Sequence, residues 1–209
     1  MTQQSKNPTE VLLRSVRLSY PHLLTPRSFA NDPTSVPKYS ASLLIPKTDA
    51  EALKVIQTAV STAIERAVAG KFGGKKPAKG SLHLPYRDGD AKDEDGVYLD
   101  SNEEARGCYV LRASSKDKPR VVTRNPKVPA VEEDIWPGEE AHVLVNFGAY
   151  KMGANAGIAC YLNAVQVTGR GERIDGRTNP EDAFAGLEND ASNDSDFDDG
   201  LLGSFDDAA

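Results

Sequence analysis

Apolar and polar positions alternate along most of this chain, and a helical period replaces the alternation in one place. Leu12, Val16, Leu18 and Tyr20 are set among Arg14, Arg17 and Ser19, which predicts a first strand over 11–20, stopped by Pro21 because proline has no amide for a ladder. Lys38-Tyr-Ser-Ala-Ser-Leu-Leu-Ile predicts a second strand, ended by Pro46. Thr48-Asp-Ala-Glu51 then has the form of a capping box. Leu53, Ile56, Val60, Ala63, Ile64 and Ala67 follow at spacings of three and four, so a helix of about twenty residues with one apolar stripe is expected, ended by Gly70. The segments 107–113 and 119–123 read as one β-hairpin, and 140–150 with 157–168 as another. Five principal strands with a single helix after the second describe a mainly β protein: a five-stranded antiparallel OB-fold barrel with one inserted α-helix and extended loops.

The domain division expected is a flexible N-terminus over 1–10, the barrel over 11–177 and a tail over 178–209. The tail holds ten Asp and Glu and no Lys or Arg. All twenty-five basic residues therefore lie in the first 177 residues with twenty-one acids, so a body of about +4 is hidden inside a net charge of −6. Such a tail buries too little apolar surface to fold alone and is expected to be disordered, a tethered polyanion that competes with other polyanions for the body. Its end also carries Phe197, Leu201, Leu202 and Phe205 among Asp198, Asp199, Asp206 and Asp207, the composition of a peptide that docks in a basic-rimmed apolar pocket of a partner.

Several classes of chemistry find no support. GxSxG, GxxxxGK[ST], HExxH and a strand followed by GxGxxG are all missing, and adjacent carboxylates such as Glu103-Glu104 point to opposite faces of a strand, so no enzyme is expected. Cys108 and Cys160 form no CxxC and read as reduced thiols on strands; no metal and no cofactor are expected. The polar N-terminus and the absence of any apolar run near the ~18 residues of a membrane span predict a cytosolic protein without membrane contact.

Basic residues near aromatic ones carry the stronger signal. Between Arg106 and Lys127 seven basic residues face one acid, Asp117, and the loop 71–80 adds four lysines and no acid. The groove expected for a polyanion is held by Arg112, Lys116, Lys118, Arg120 and Arg124 on a projecting hairpin arm, with Lys71, Lys75 and Lys76 closing over it. Single strands expose base faces, so a protein that prefers them needs rings beside the charge. Tyr86 with Arg87, Tyr109 with Arg112 and Tyr150 with Lys151 are the candidate ring-and-charge pairs, and Trp136 is either a platform or a lid on the barrel end. Tyr39, Phe147 and Tyr161 are further candidate rings, about half of all of them being core because one face of each strand is buried.

Arg17-Leu-Ser-Tyr-Pro-His-Leu, then Pro37-Lys-Tyr-Ser-Ala-Ser-Leu-Leu-Ile-Pro-Lys, then Trp136-Pro-Gly with a strand ending Phe147-Gly-Ala-Tyr150, then Gly157-Ile-Ala-Cys-Tyr-Leu-Asn-Ala-Val-Gln, together resemble a bacteriophage single-stranded-DNA-binding protein family once known only as a domain of unknown function. The resemblance runs through most of residues 11–185. It implies an OB-fold protein of phage DNA replication or recombination, acting in the cytoplasm of an infected bacterium, that coats single-stranded DNA without reading sequence and meets replication or recombination proteins through its acidic tail. Acidic tails of this kind typically end on a terminal Phe, whereas this chain ends Phe205-Asp-Asp-Ala-Ala. The alternatives are a strand-annealing recombination protein and, in another class, a DNA-mimicking interaction module acting through the tail. A homodimer stays open.

Overall fold

The computed structural model describes residues 7–28, 34–75, 77–78, 80–153, 155–178 and 184. Among these residues seven strands and one α-helix follow in the order β1 (Glu10–Arg27), β2 (Lys38–Pro46), α1 (Ala50–Val68), β3 (Tyr86–Asp88), β4 (Cys108–Ser115), β5 (Arg120–Val122), β6 (Glu140–Met152) and β7 (Asn155–Val167). Five of them close a barrel: β1 pairs with β2 and β6, β2 with β4, β6 with β7, and β7 returns to β4. Every one of those pairings is antiparallel except β4–β7, which is parallel. This is the mainly β barrel with a helix after the second strand that the alternation predicts. The chain divides into two compact units, Met1–Asp175 and Gly176–Ala209.

The barrel interior takes alternate residues of each strand, among them Leu13, Leu18, Leu43, Ile45, Leu111, Val143, Val145, Phe147 and Leu162, all at 2% exposure or less. The helical stripe closes onto this core through Ile56, Ala59, Val60, Ala63 and Ala67, with Leu53 and Ile64 partly buried beside them. Its N-cap is Asp49, one residue later than the capping box predicts: the Asp49 carboxylate accepts from the Ala52 amide at 3.0 Å.

Two expectations about strands are corrected. Pro21 does not stop β1, which runs on for six residues to Arg27. The chain passes the proline by a bulge: pairing with β2 shifts between Ser19 and His22, and Tyr20 adopts φ +48°, so no ladder position demands the missing amide. A second bulge, with Ser15 at φ +50°, breaks the pairing with β6 between Leu13 and Val16. The other correction concerns the basic hairpin. One edge of β4 is taken by β2, and the other is shared between β3 and β7, so β5 has no place beside β4 and pairs in parallel with β7, Arg120 opposite Ala164. No projecting arm is formed by 107–123.

Glu139 is fully buried where β6 begins. Its Oε1 accepts from the amides of Thr168 and Gly169 at 2.8 and 2.7 Å, while Oε2 has no hydrogen-bond partner among the described residues. Burial pushes the carboxyl above its usual range against the pull of those amides. The folded chain therefore holds this proton more tightly than the unfolded chain, and stability from this group falls as pH rises through that range. Comparing urea midpoints with Glu139→Gln should show the parent losing ground to the variant between pH 5 and pH 8. A difference independent of pH would mean the group does not titrate there.

Candidate nucleic-acid interface

Outward-facing residues of β1, β2, β4 and β7 line up in register across the sheet. His22 pairs with Ser40, Ser40 with Ser114, and Ser114 with Tyr161. In the next row Ser19 pairs with Ser42 and Ser42 with Arg112. Ser40, Ser42 and Ser114 thus make a low floor across β2 and β4, with Arg112 and Tyr161 both on its β4–β7 side, while Ser19 at the β1 end is buried. Arg112 is exposed and has no carboxylate partner among the described residues. Next to it a cavity of about 480 Å³ is lined by Tyr20, Arg87, Leu99, Asp100, Asn102 and Arg112. Tyr20, 58% exposed, donates its hydroxyl to Asn102 at 2.8 Å. A bulky residue held in the left-handed region is a strained conformation of the kind that collects at functional sites.

Arg87 lies in this cavity but is already engaged. Its guanidinium donates to the Asp100 carboxylate, with Nε at 2.9 Å, and the Asp100 side chain is 4% exposed. Burial works against that carboxylate, and the bonds from Arg87 and the Asn102 amide outweigh it, so the group is held below the usual carboxylate range. Arg106 donates to the Gly89 and Asp100 carbonyls and lies 3.6 Å over the Tyr98 ring, pinning the excursion 88–106 against the barrel.

The remaining candidates separate by face. Tyr109 shares the inward side of β4 with Leu111, and Arg112 shares the outward side with Val110, so these two do not form a ring-and-charge pair; a spacing of three cannot bring residues to one face of a strand. Tyr86 meets Tyr109 edge to face at 6.3 Å and packs against the core, and burial raises its phenol above the ordinary value. Lys47 lies 5.3 Å over the Tyr109 ring while bonded to Asp88 and Asp90, whose carboxyls its hydrogen bonds hold low. Phe147 is core at 2% exposure.

Lys116 and Lys118 are exposed in the turn after β4. Arg120, on β5, is exposed at a shallow groove of about 490 Å³ whose floor includes Leu12, Leu144 and Ala164, with Arg14 and His142 also lining it. Arg124 is spent on the Thr168 carbonyl at 2.6 and 3.1 Å. The Trp136 indole donates to the Gly171 carbonyl at 3.4 Å and is half-buried, which places it as a lid over the 168–174 segment. Tyr150 and the exposed Lys151 lie at the far end of β6, where the Lys71 ammonium donates to the Ala149 carbonyl. Lys75 is exposed. Lys76 and the tail residues Phe197, Asp198, Asp199, Leu201, Leu202, Phe205, Asp206 and Asp207 lie outside the described residues. The described residues contain no helix long and apolar enough to cross a membrane and no cluster of three or more His, Cys, Asp or Glu able to hold a metal ion.

Sequence reasoning misses Tyr20, which alternation places at the end of a strand, and the serine floor. Serines at alternate positions of 38–45 are the available signal for a solvent-facing polar row, but only the register shows that they adjoin Ser114 and Arg112.

A five-stranded barrel closed in the order β1-β2-β4-β7-β6, with one outward face left open and lined by hydroxyls, rings and an arginine, defines an OB-fold, the class that binds oligonucleotides and oligosaccharides across its strands. Within it, the chain belongs to the family of the Enterobacter phage Enc34 ssDNA-binding protein, whose family model matches residues 9–197. Among solved structures it resembles the single-stranded DNA-binding protein from bacteriophage Enc34 in complex with ssDNA, with 23% identity, TM-score 0.66, and coverage of 83% of this chain and 96% of that one. A further structure of the single-stranded DNA-binding protein from bacteriophage Enc34 matches over 88% of this chain and 97% of its own, at 23% identity and TM-score 0.63. The gp2.5 single-stranded DNA-binding protein of bacteriophage T7 is more distant, at 14% identity, TM-score 0.52, and coverage of 84% and 92%. No curated protein sequence matches the chain.

Proposed function

We propose that this chain binds single-stranded DNA without sequence preference and without catalysis, coating strands exposed during phage DNA replication or recombination in the cytoplasm of the infected cell. The observation that carries this reading is the outward face of β1, β2, β4 and β7: the floor of Ser40, Ser42 and Ser114, with Arg112 and Tyr161 on its β4–β7 side and Tyr20 on its β1 side. Family membership supports it, as does the likeness to a phage barrel solved with ssDNA. Rings supply sequence-tolerant stacking, and cations supply the phosphate attraction. Arg112, Lys116, Lys118 and Arg120 take the phosphates, with Lys71, Lys75 and Lys151 on the β6 side. Arg87 and Arg124 are engaged within the protein and serve to hold the site's walls. The acidic tail binds a replication or recombination partner through Phe197, Leu201, Leu202 and Phe205.

The test is a gel-shift titration of the full chain and of a chain truncated before residue 178, against single-stranded and duplex DNA of equal length at two salt concentrations. Tight binding of single strands by both forms is expected. Ten tethered carboxylates oppose a polyanion most when screening is weakest, the Debye length being about 30 Å at 0.01 M, so the truncated chain should bind more tightly at low salt and converge with the full chain at high salt. If the truncated chain binds no DNA, the chain is an interaction module acting through its tail instead.

A further inference from the structure

Gly148 stands inside β6, and Gly157 near the start of β7, where it is buried and bridged by His83. Glycine weakens a strand there and marks a place where something approaches the backbone closely. In both cases a tyrosine ring approaches. A Cβ added to Gly148 would lie 2.9 Å from Tyr161 Cε2, and its next two neighbours, at 3.6 and 3.9 Å, are atoms of the same ring. A Cβ on Gly157 would meet the Tyr150 hydroxyl at 2.8 Å and its Cε1 at 2.9 Å, and also the His83 carbonyl. Tyr150 is directly opposite Gly157, Gly148 is opposite Ala159, and Asn146 is opposite Tyr161. Each ring therefore covers the bare backbone of a glycine on the neighbouring strand, with Tyr150 half-buried and Tyr161 exposed. Tyr161 remains 41% exposed, and between the two tyrosine pairs stands only the small Gly148–Ala159 pair.

We propose that Tyr150 and Tyr161 form a two-step ladder that stacks two neighbouring bases of a single strand, and that Gly148 and Gly157 are positioning residues that lay the rings flat to receive them. The proposal rests on the single-strand-binding reading and assigns the base contacts within it. The two glycines are diagonal cross-strand neighbours, roughly 7–8 Å apart. That is about twice the roughly 3.4 Å rise of a stacked strand, so two bases seated there are drawn off one another and each stacks on a tyrosine. The ladder continues into the rest of the interface, because Tyr161 pairs in register with Ser114 of the serine floor, and Lys151 with Lys71 supplies cations at the Tyr150 end. A ring that only covers exposed backbone, the role aromatic residues play over glycines in many sheets, would contribute to stability and leave binding untouched.

Gly148 gives a clean test, because its nearest neighbours are side-chain ring atoms of Tyr161 and its φ is not in the left-handed region. Gly148→Ala moves one ring and needs no backbone shift, whereas Gly157→Ala collides with the His83 carbonyl. The full-length chain, Gly148→Ala and Tyr161→Leu are titrated by fluorescence anisotropy against oligothymidylate and against an abasic strand of the same length, with thermal melts in parallel. Both variants should bind oligothymidylate roughly five- to a hundred-fold more weakly, the loss of one stacked base, and bind the abasic strand as the parent does. Equal affinity of parent and both variants for oligothymidylate, or an equal loss on the abasic strand, overturns the ladder while leaving single-strand binding intact. Failure of the parent itself to bind oligothymidylate overturns the function on which the ladder rests.

Discussion

Affinity for single-stranded DNA will fall on the order of 100-fold between 50 and 200 mM salt. Each phosphate neutralised on a single strand contributes about −0.7 to the slope of log K against log salt, and on the order of five neutralised phosphates give that loss, the number expected if Arg112, Lys116, Lys118, Arg120 and Lys151 each hold one. All five side chains are exposed. Charge removal should act on the slope as well as on the affinity: Arg112→Ala with Arg120→Ala should flatten it by about 0.7 for each phosphate left without its cation, equally for homopolymers of different base. Arg124→Ala, by contrast, removes a guanidinium already bonded to the Thr168 carbonyl and should leave the slope near the parent's. Isothermal titration over a salt series reads all three. A salt-independent affinity would mean that the basic positions are ordinary solvated charge and that the interface lies elsewhere.

The second large effect is on the fold. Phe147→Ala should destabilise the chain by roughly 3–5 kcal/mol, the range for emptying a buried phenylalanine site. Against a total stability of about 5–15 kcal/mol that is a severe loss. It corresponds to a fall in melting temperature of roughly 6–20 °C for a barrel of this size. Phe147 is among the largest fully buried side chains and sits on the inward row of β6 with Ala141, Val143, Val145 and Ala149. Well below its midpoint, the variant should bind oligothymidylate as the parent does. A small change in melting temperature together with a large loss of affinity would place Phe147 at the interface and contradict the inward row. Tyr161, on the outward row of β7, should behave in the opposite way.

The contrast between Phe147 and Tyr161 shows how far the chain can be read before its pairing is known. At both positions the sequence offers the same signal, an aromatic ring with no charged residue beside it. Alternation within β6 and β7 says that Phe147 and Tyr150 face opposite ways, and the structure agrees, but which face is the barrel interior depends on closure. Local spacing also misleads at Tyr109 and Arg112, three residues apart on one strand. The β4–β5 segment misleads for a related reason: two apolar segments joined by a short basic turn look like a hairpin in isolation, and only the competition of β2, β3 and β7 for the edges of β4 sends β5 to another partner.

Composition and periodicity by themselves determined the strand-rich architecture, the single helix and its buried stripe, the β6–β7 hairpin, and the division of charge between a basic body and an acidic end. These are properties of residues close together in the chain, set by side-chain period and backbone preference. Tertiary structure alone decided that Pro21 is carried through a bulge, that Arg87 and Arg124 are committed to Asp100 and Thr168, and that Ser40, Ser42 and Ser114 adjoin Arg112 and Tyr161. It also decided that two glycines of the β6–β7 hairpin lie beneath two tyrosines. Each of these depends on barrel closure and on register between strands that can be more than a hundred residues apart, as Glu10 and Asn146 are, and register is an energy of many long-range pairings at once, which no local pattern encodes.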